Sequence, residues 1–272
     1  MKTLFNNISM FMLLILLGGG LQSCSDNLQD AGDVKVSFIA TLPPDVCTRS
    51  YGDAGQINTL VAGVFLNDVE ICRKTYVVNG NIADVQFSLA KNQSYDFVFW
   101  AYDSTQDIYD ISDLTAIRMV ELPDEVTFAQ AESMDAFFAT EKGMMVMGDR
   151  NCLVELVRPL AQINVGTSAA VVRTSFTVKG APDTFYPFTG IVSGETDYTW
   201  NFNETTSEVF SADGADYSYL SLSYVFAPAT ASAISAELTL TDAETSRTML
   251  IPEVEIEANR RTNIAGRIVV SE

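Results

Sequence analysis

From Val34 onward, apolar and polar positions alternate with a period of two rather than 3.6. Val34, Val36, Phe38 and Ala40 share one face, Lys35, Ser37 and Ile39 take the other, and Pro43-Pro44 closes the run. This predicts a half-buried strand over residues 34–40. Further strands are expected over 60–67, 75–78, 84–89, 95–102, 118–122, 135–140, 144–147 and 152–157. A second series is expected over 161–165, 173–178, 199–202, 218–226, 233–241, 248–256 and 263–270. Asn79-Gly80, Lys179-Gly180 and Asp213-Gly214 supply turns between strands. Residues 107–115, with spaced aspartates, read as a loop or short helix, and a short helix is expected to start near Thr167. No long helical pattern and no heptads interrupt this series.

Many short strands at this spacing define an all-β chain of sandwiches. With 272 residues there is room for two. Arg158-Pro159 suits the junction, because proline cannot donate to a central ladder. The expected domains are therefore 34–157 and 158–272.

Composition narrows the chemistry. Apolar residues make up 47% and charged residues 19% of the chain, enough for buried cores. The formal charge of −19 repels phosphate backbones, so no nucleic-acid partner is expected. There is no histidine, which removes the commonest general base, the commonest zinc ligand and every Ser-His or Cys-His pair. Carboxylate-pair hydrolysis is still open to 35 Asp and Glu, yet no pair stands out, so no catalytic residue and no cofactor are assigned and the chain reads as a non-enzyme.

The N-terminus carries Lys2, an apolar run from Phe11 to Leu17 and then three glycines at 18–20. A membrane-spanning helix needs ~20 apolar residues, so this shorter run reads as a secretory signal over residues 1–23. Leu21-Gln22-Ser23-Cys24 resembles a bacterial lipobox. That resemblance implies acylation of Cys24 Sγ by membrane lipid, with Cys24 as the first mature residue and residues 24–33 as a polar tether. The alternative is a plain signal peptide with Cys24 free for a disulfide. An anchor at Cys24 would leave Cys47, Cys72 and Cys152, an odd number that allows at most one disulfide. Their spacing matches no metal knuckle, and Cys72 and Cys152, each beside an apolar residue, read as buried free thiols.

Four stretches together, "SYDFVFWA" (94–101), "DAFF" (135–138), "VELVRPLAQINVGT" (154–167) and "RRTNIAGRI" (260–268), resemble a domain of unknown function in Bacteroidales surface lipoproteins, itself related to the fimbrillin (type V pilin) superfamily. The resemblance implies two tandem transthyretin-like β-sandwich domains. It also implies a lipid-anchored place on the outer membrane and a task in pilus assembly, anchoring or adhesion, with other pilus subunits as partners. In that superfamily a protease cuts after an arginine downstream of the first strand, and a neighbour's strand fills the opened groove. Here the resemblance points to Arg49, in "DVCTRSYGD", as the cut and to residues 34–40 as the removable strand. The alternative for Arg49 is an ordinary exposed loop arginine. After the expected strand 263–270 only Ser271 and Glu272 remain, so no spare donor strand is expected, which favours an anchor or cap.

Two other clusters carry alternatives. Tyr198, Trp200 and Phe202 alternate on one strand face; exposed, they would be a ligand platform for a lipid-anchored glycan-binding module, and buried, they are core. Asp103, Asp107, Asp110 and Asp113 are crowded but lack the ligand spacing and central glycine of an EF-hand, so they read as a solvated acidic loop with no metal.

Overall fold

A computed structural model describes residues 32–43, 52–170, 172–243 and 245–270. The chain runs through β1 (Asp33–Thr41), β2 (Thr59–Leu66), β3 (Val69–Val77), β4 (Ile82–Ala90), β5 (Gln93–Tyr102), β6 (Tyr109–Asp110), β7 (Ile117–Met119), the helix α1 (Phe128–Glu132), β8 (Ala136–Val146) and β9 (Arg150–Glu155). It continues through β10 (Leu160–Thr167), β11 (Arg173–Ala181), β12 (Thr184–Tyr186), β13 (Ile191–Ser193) and β14 (Thr196–Phe202). Then follow β15 (Val209–Ala212), β16 (Ala215–Phe226), β17 (Ser232–Thr241), β18 (Ser246–Ile256) and β19 (Arg261–Gly266).

One strand plan is used twice. The first half forms the sheets β4-β1-β9 and β3-β2-β5-β8, and the second half forms β15-β16-β10-β19 and β14-β11-β17-β18. In each half the opening strand is central in its sheet. β1 lies between antiparallel β4 and parallel β9, and β10 lies between antiparallel β16 and parallel β19. The result is an all-β pair of sandwiches, as the period-two patterning predicts.

The halves share a core through one sheet. In β5, Phe97 and Phe99 point into the first sandwich, while Val98 and Trp100 point the other way and join the core of the second. A strand apolar on both faces is what a doubly covered sheet requires. Trp100 packs near Phe185 and Phe226, each 6.3 Å away between ring centroids. The segments following β5 and β11 add a second tie, for β6, β7, β12 and β13 combine into one sheet in the order β13-β12-β7-β6.

Residues 107–115 take the loop alternative, with the two-residue β6 set in it, where Tyr109 is buried and its hydroxyl donates to the Met134 carbonyl. Two local expectations are corrected. No helix starts at Thr167; its side chain instead accepts from the Ala169 and Ile268 amides in a turn. Among the described residues one helix forms, α1, and it begins at a capping box, in which Thr127 Oγ1 accepts from the Gln130 amide and Gln130 Oε1 from the Thr127 amide. Residues 135–140 and 144–147 belong to one strand, β8, which continues past Gly143 at φ 64°.

Candidate functional site

The chain's first described strand is a central strand, and this sets the site. β1 pairs along its whole length with β4, from Asp33 opposite Ala90 to Thr41 opposite Ile82, and with β9 from Val36 opposite Arg150 to Thr41 opposite Glu155. Its inward residues Val34, Val36, Phe38 and Ala40 are all buried. The Phe38 ring meets the rings of Phe97 and Phe99 edge-on, with centroids 4.8 and 5.0 Å away. Full burial of such side chains contributes roughly 1.5–3 kcal/mol each. Without β1, facing edges of β4 and β9 would expose unpaired N–H and C=O groups above a trench floored by Phe97 and Phe99 of β5 and flanked by Phe87 of β4. β1 thus fills the groove between β4 and β9.

Cys24, Cys47 and Arg49 lie outside the described residues. On the near side of Arg49 the description ends at Pro43, just after the Leu42 amide donates to Asn81 O at 2.9 Å. On the far side it resumes at Gly52, which is clamped. The Gly52 amide donates to Glu132 Oε1 at 3.3 Å, and its carbonyl accepts from Arg158 Nη2 at 3.1 Å. Gly52 has φ +97°, and a Cβ there would stand 2.3 Å from Gln162 Oε1, so only glycine fits without displacement.

The clamp joins the sandwiches. Arg158, in the connector, donates to Asp135 from Nε (2.7 Å) and Nη2 (2.6 Å) and stacks over Phe137 at 5.0 Å. Arg261 Nε donates to Gln162 Oε1, Gln162 Nε2 to Asn164 Oδ1, and Asn164 Nδ2 to Asn263 Oδ1. Burial raises the Asp135 carboxyl above its ordinary range against the opposing pull of Arg158, and burial likewise raises Glu132. Asp135 is engaged by the Arg158 guanidinium and Glu132 by the Gly52 amide. Sequence reasoning missed this network. The "DAFF", "VRPLAQIN" and "RRTN" stretches are the signal that held it, since Asp135, Arg158, Gln162 and Arg261 come from them.

Other expected residues fall as follows. Tyr198, Trp200 and Phe202 turn inward, with exposures of 3%, 0% and 2%. The Tyr198 hydroxyl donates to Met119 O, Trp200 Nε1 to Met134 Sδ, and Phe202 stacks on Phe128 at 4.3 Å between centroids. The aromatic row is core, so it offers no platform to a glycan. Asp103 is buried, not solvated, because Oδ1 accepts from Asn58 Nδ2 and from the Thr105 amide and hydroxyl. Asp110 and Asp113 accept from the Ser112 and Thr115 amides, turn contacts that bind each carboxylate to its own backbone. Cys152, half-buried on β9 opposite Phe38, is a free thiol as expected. Cys72 is not: on edge strand β3, where a partner can approach, it is disulfide-bonded.

The protein-family comparison matches residues 28–272 to the family of unknown function DUF6562, and the chain belongs to that family. All four stretches singled out in the sequence lie within the match. No curated protein matches the sequence. Solved structures to which the chain is similar include a protein from Bacteroides ovatus described as an adhesin (14% identity, TM-score 0.49, 84% of this chain and 79% of that one). They also include a fimbrial assembly protein from Parabacteroides distasonis (14% identity, TM-score 0.45, 88% and 92%). A third is the tip fimbrial protein Mfa3 from Porphyromonas gingivalis with C-terminal truncation (12% identity, TM-score 0.47, 88% and 96%).

Proposed function

We propose that this protein is a non-enzymatic surface lipoprotein of fimbrillin type, brought to the outer membrane and anchored there by acylated Cys24 until a cut after Arg49, and working in pilus assembly, anchoring or adhesion through strand addition. One observation carries the reading: β1, the strand ahead of Arg49, is a central strand whose ladders to β4 and β9 could be remade by another extended chain. Cleavage after Arg49 would free β1 from β2 without breaking any other strand connection. The backbone edges of β4 and β9 would then supply affinity, and the sockets of Val34, Val36, Phe38 and Ala40 would supply selectivity.

The test uses two variants in the producing bacterium. Cys24→Ala should lose acyl label and leave the outer membrane fraction. Arg49→Ala should stay in the membrane but fail to enter the higher-mass surface assemblies that wild type joins. Wild-type protein without acyl label overturns the anchor, and equal assembly by Arg49→Ala overturns strand addition after a cut.

A further inference from the structure

β14 is the outer strand of its sheet, in the order β14-β11-β17-β18, so one of its edges is open. Which groups line that edge follows from its pairing. Ser175 Oγ meets Asn201 Oδ1 at 2.6 Å, and Thr177 Oγ1 meets Thr199 Oγ1 at 2.9 Å. These are the close side-chain contacts of non-hydrogen-bonded antiparallel pairs, so the N–H and C=O of Asn201 and Thr199 point away from β11. The Val126 amide agrees, since it donates to the Asn201 carbonyl from outside the sheet at 2.9 Å. Alternation turns Asp197 the same way. Among the described residues, no backbone group pairs with Thr199 or Asp197 on this side.

The edge opens into a cleft of about 600 Å³, walled by residues 196–199 and 201 on one side and 118–124 on the other. Its charge is one-sided. Asp110, Glu121, Asp124, Asp183 and Asp197 line it against the guanidinium of Arg118, a net of −4 from five negative groups and one positive. Hydrogen bonds from Ser112 to Asp110, and from the Gly180 amide to Asp197, hold both carboxyls below their ordinary range, so both are ionised at neutral pH.

We infer that this cleft binds an extended basic peptide segment of a partner protein, added as a strand to the open edge of β14. The unpaired main-chain groups select a peptide. A free amine or a metal ion would use the carboxylates but leave the Thr199 N–H and C=O unmet. Side chains of an added strand alternate between faces. Those beside Asp197 and Thr199 share the outer face with the Asp197 carboxylate, which suits Lys or Arg. Those between lie on the side of buried Tyr198 and Met119, which suits aliphatic residues. The site shares no strand with the β1 groove and stands independently of it.

The test uses the folded full chain and a fluorescent peptide, acetyl-KVKVKT-amide, with acetyl-EVEVET-amide as the control of opposite charge. The basic peptide should bind and the acidic one should not. Amide hydrogen exchange read by NMR should be fast at Thr199 and Asp197 in the free chain and slowed about 10-fold or more by the basic peptide. A Thr199 amide already protected in the free chain overturns the open edge.

Two further peptides separate pairing from general attraction to a chain of formal charge −19. One is the basic peptide N-methylated at its lysines, the other the same peptide N-methylated at its valines, so their charges are equal. A strand turns only alternate amides to one edge, so one of the two should bind about 10-fold more weakly than the other. Equal binding overturns strand addition.

Variants fix the location. Glu121→Gln with Asp124→Asn removes two exposed carboxylates that hold no hydrogen bond or ion pair among the described residues, and should weaken the basic peptide roughly 5-fold. Thr199→Pro removes the outward N–H, a change an edge strand accepts, and should weaken it by about 5-fold or more. If Thr199→Pro does not fold, the methylated pair gives the same readout on the natural chain. Binding that neither variant changes overturns the site. No binding of the basic peptide, or binding of neutral maltohexaose in its place, overturns the ligand class.

Discussion

Asp135 holds Arg158 through two parallel hydrogen bonds of 2.7 and 2.6 Å, and that guanidinium also reaches the carbonyl of Gly52, the first described residue after Arg49. One ion pair thus fixes the connector between the sandwiches and the start of the chain downstream of the proposed cut. Removing one partner of a buried pair strands the other charge, which typically costs about 3–5 kcal/mol. Asp135→Ala and Arg158→Ala should each lower stability by that order, and the double variant by clearly less than the sum. Urea unfolding of all four proteins completes the cycle. Additive losses would show that the pair does not act as a unit.

Gly52→Ala should cost on the order of 1–3 kcal/mol, because alanine is strained at φ +97° and its Cβ would crowd Gln162 Oε1. Gly80→Ala is a control, since it shares a positive φ of 60° but has open space around its Cβ. Thermal melts should place Gly52→Ala well below Gly80→Ala; equal melting temperatures would mean that the clamp is slack.

The strand pattern was legible because alternation records burial: residues 34–40 and the doubly apolar 95–102 both fold as their spacing predicts. β12 and β13 were not, because strands of three residues are too short to show a period, and their partner β7 lies more than sixty residues upstream. Alternation also put Tyr198, Trp200 and Phe202 on one face without saying that it faces inward. That depends on the packing of Phe128 and Met134 from elsewhere in the chain. The Asp135–Arg158 pair was invisible for the same reason, as nothing local links residues 23 apart.

The inward face of β1 should be the costly one. Phe38→Ala empties a socket between Phe97 and Phe99 and should destabilise by about 3–5 kcal/mol. Lys35→Ala, on the exposed face, should change stability by less than about 0.5 kcal/mol. Chemical denaturation distinguishes them, and a small Phe38→Ala effect would argue that β1 is dispensable to the isolated fold.

Alkaline solutions should unfold the protein early. Burial raises the hydroxyls of Tyr109 and Tyr224 well above their ordinary value of 10.0 and pushes Tyr198 up to about 12. Above pH 10 the unfolded chain loses these protons first, so it binds fewer protons than the folded one. Stability contributed by each tyrosine is present below pH 10 and is lost as pH rises from there toward its folded pKa, by up to ~1.4 kcal/mol per pH unit. Urea midpoints at pH 8, 9, 10 and 11 should be flat at first and fall after pH 10. A flat profile to pH 11 would contradict the burial of these hydroxyls.

The central claim is that β1 gives up its place between β4 and β9 at the cell surface. The most direct measurement is the reduced intact mass of folded protein recovered from surface assemblies in native outer membranes. The account predicts a chain that begins at Ser50, with the acylated fragment ending at Arg49 separate from it. A single reduced chain that still carries residues 25–49 would contradict it.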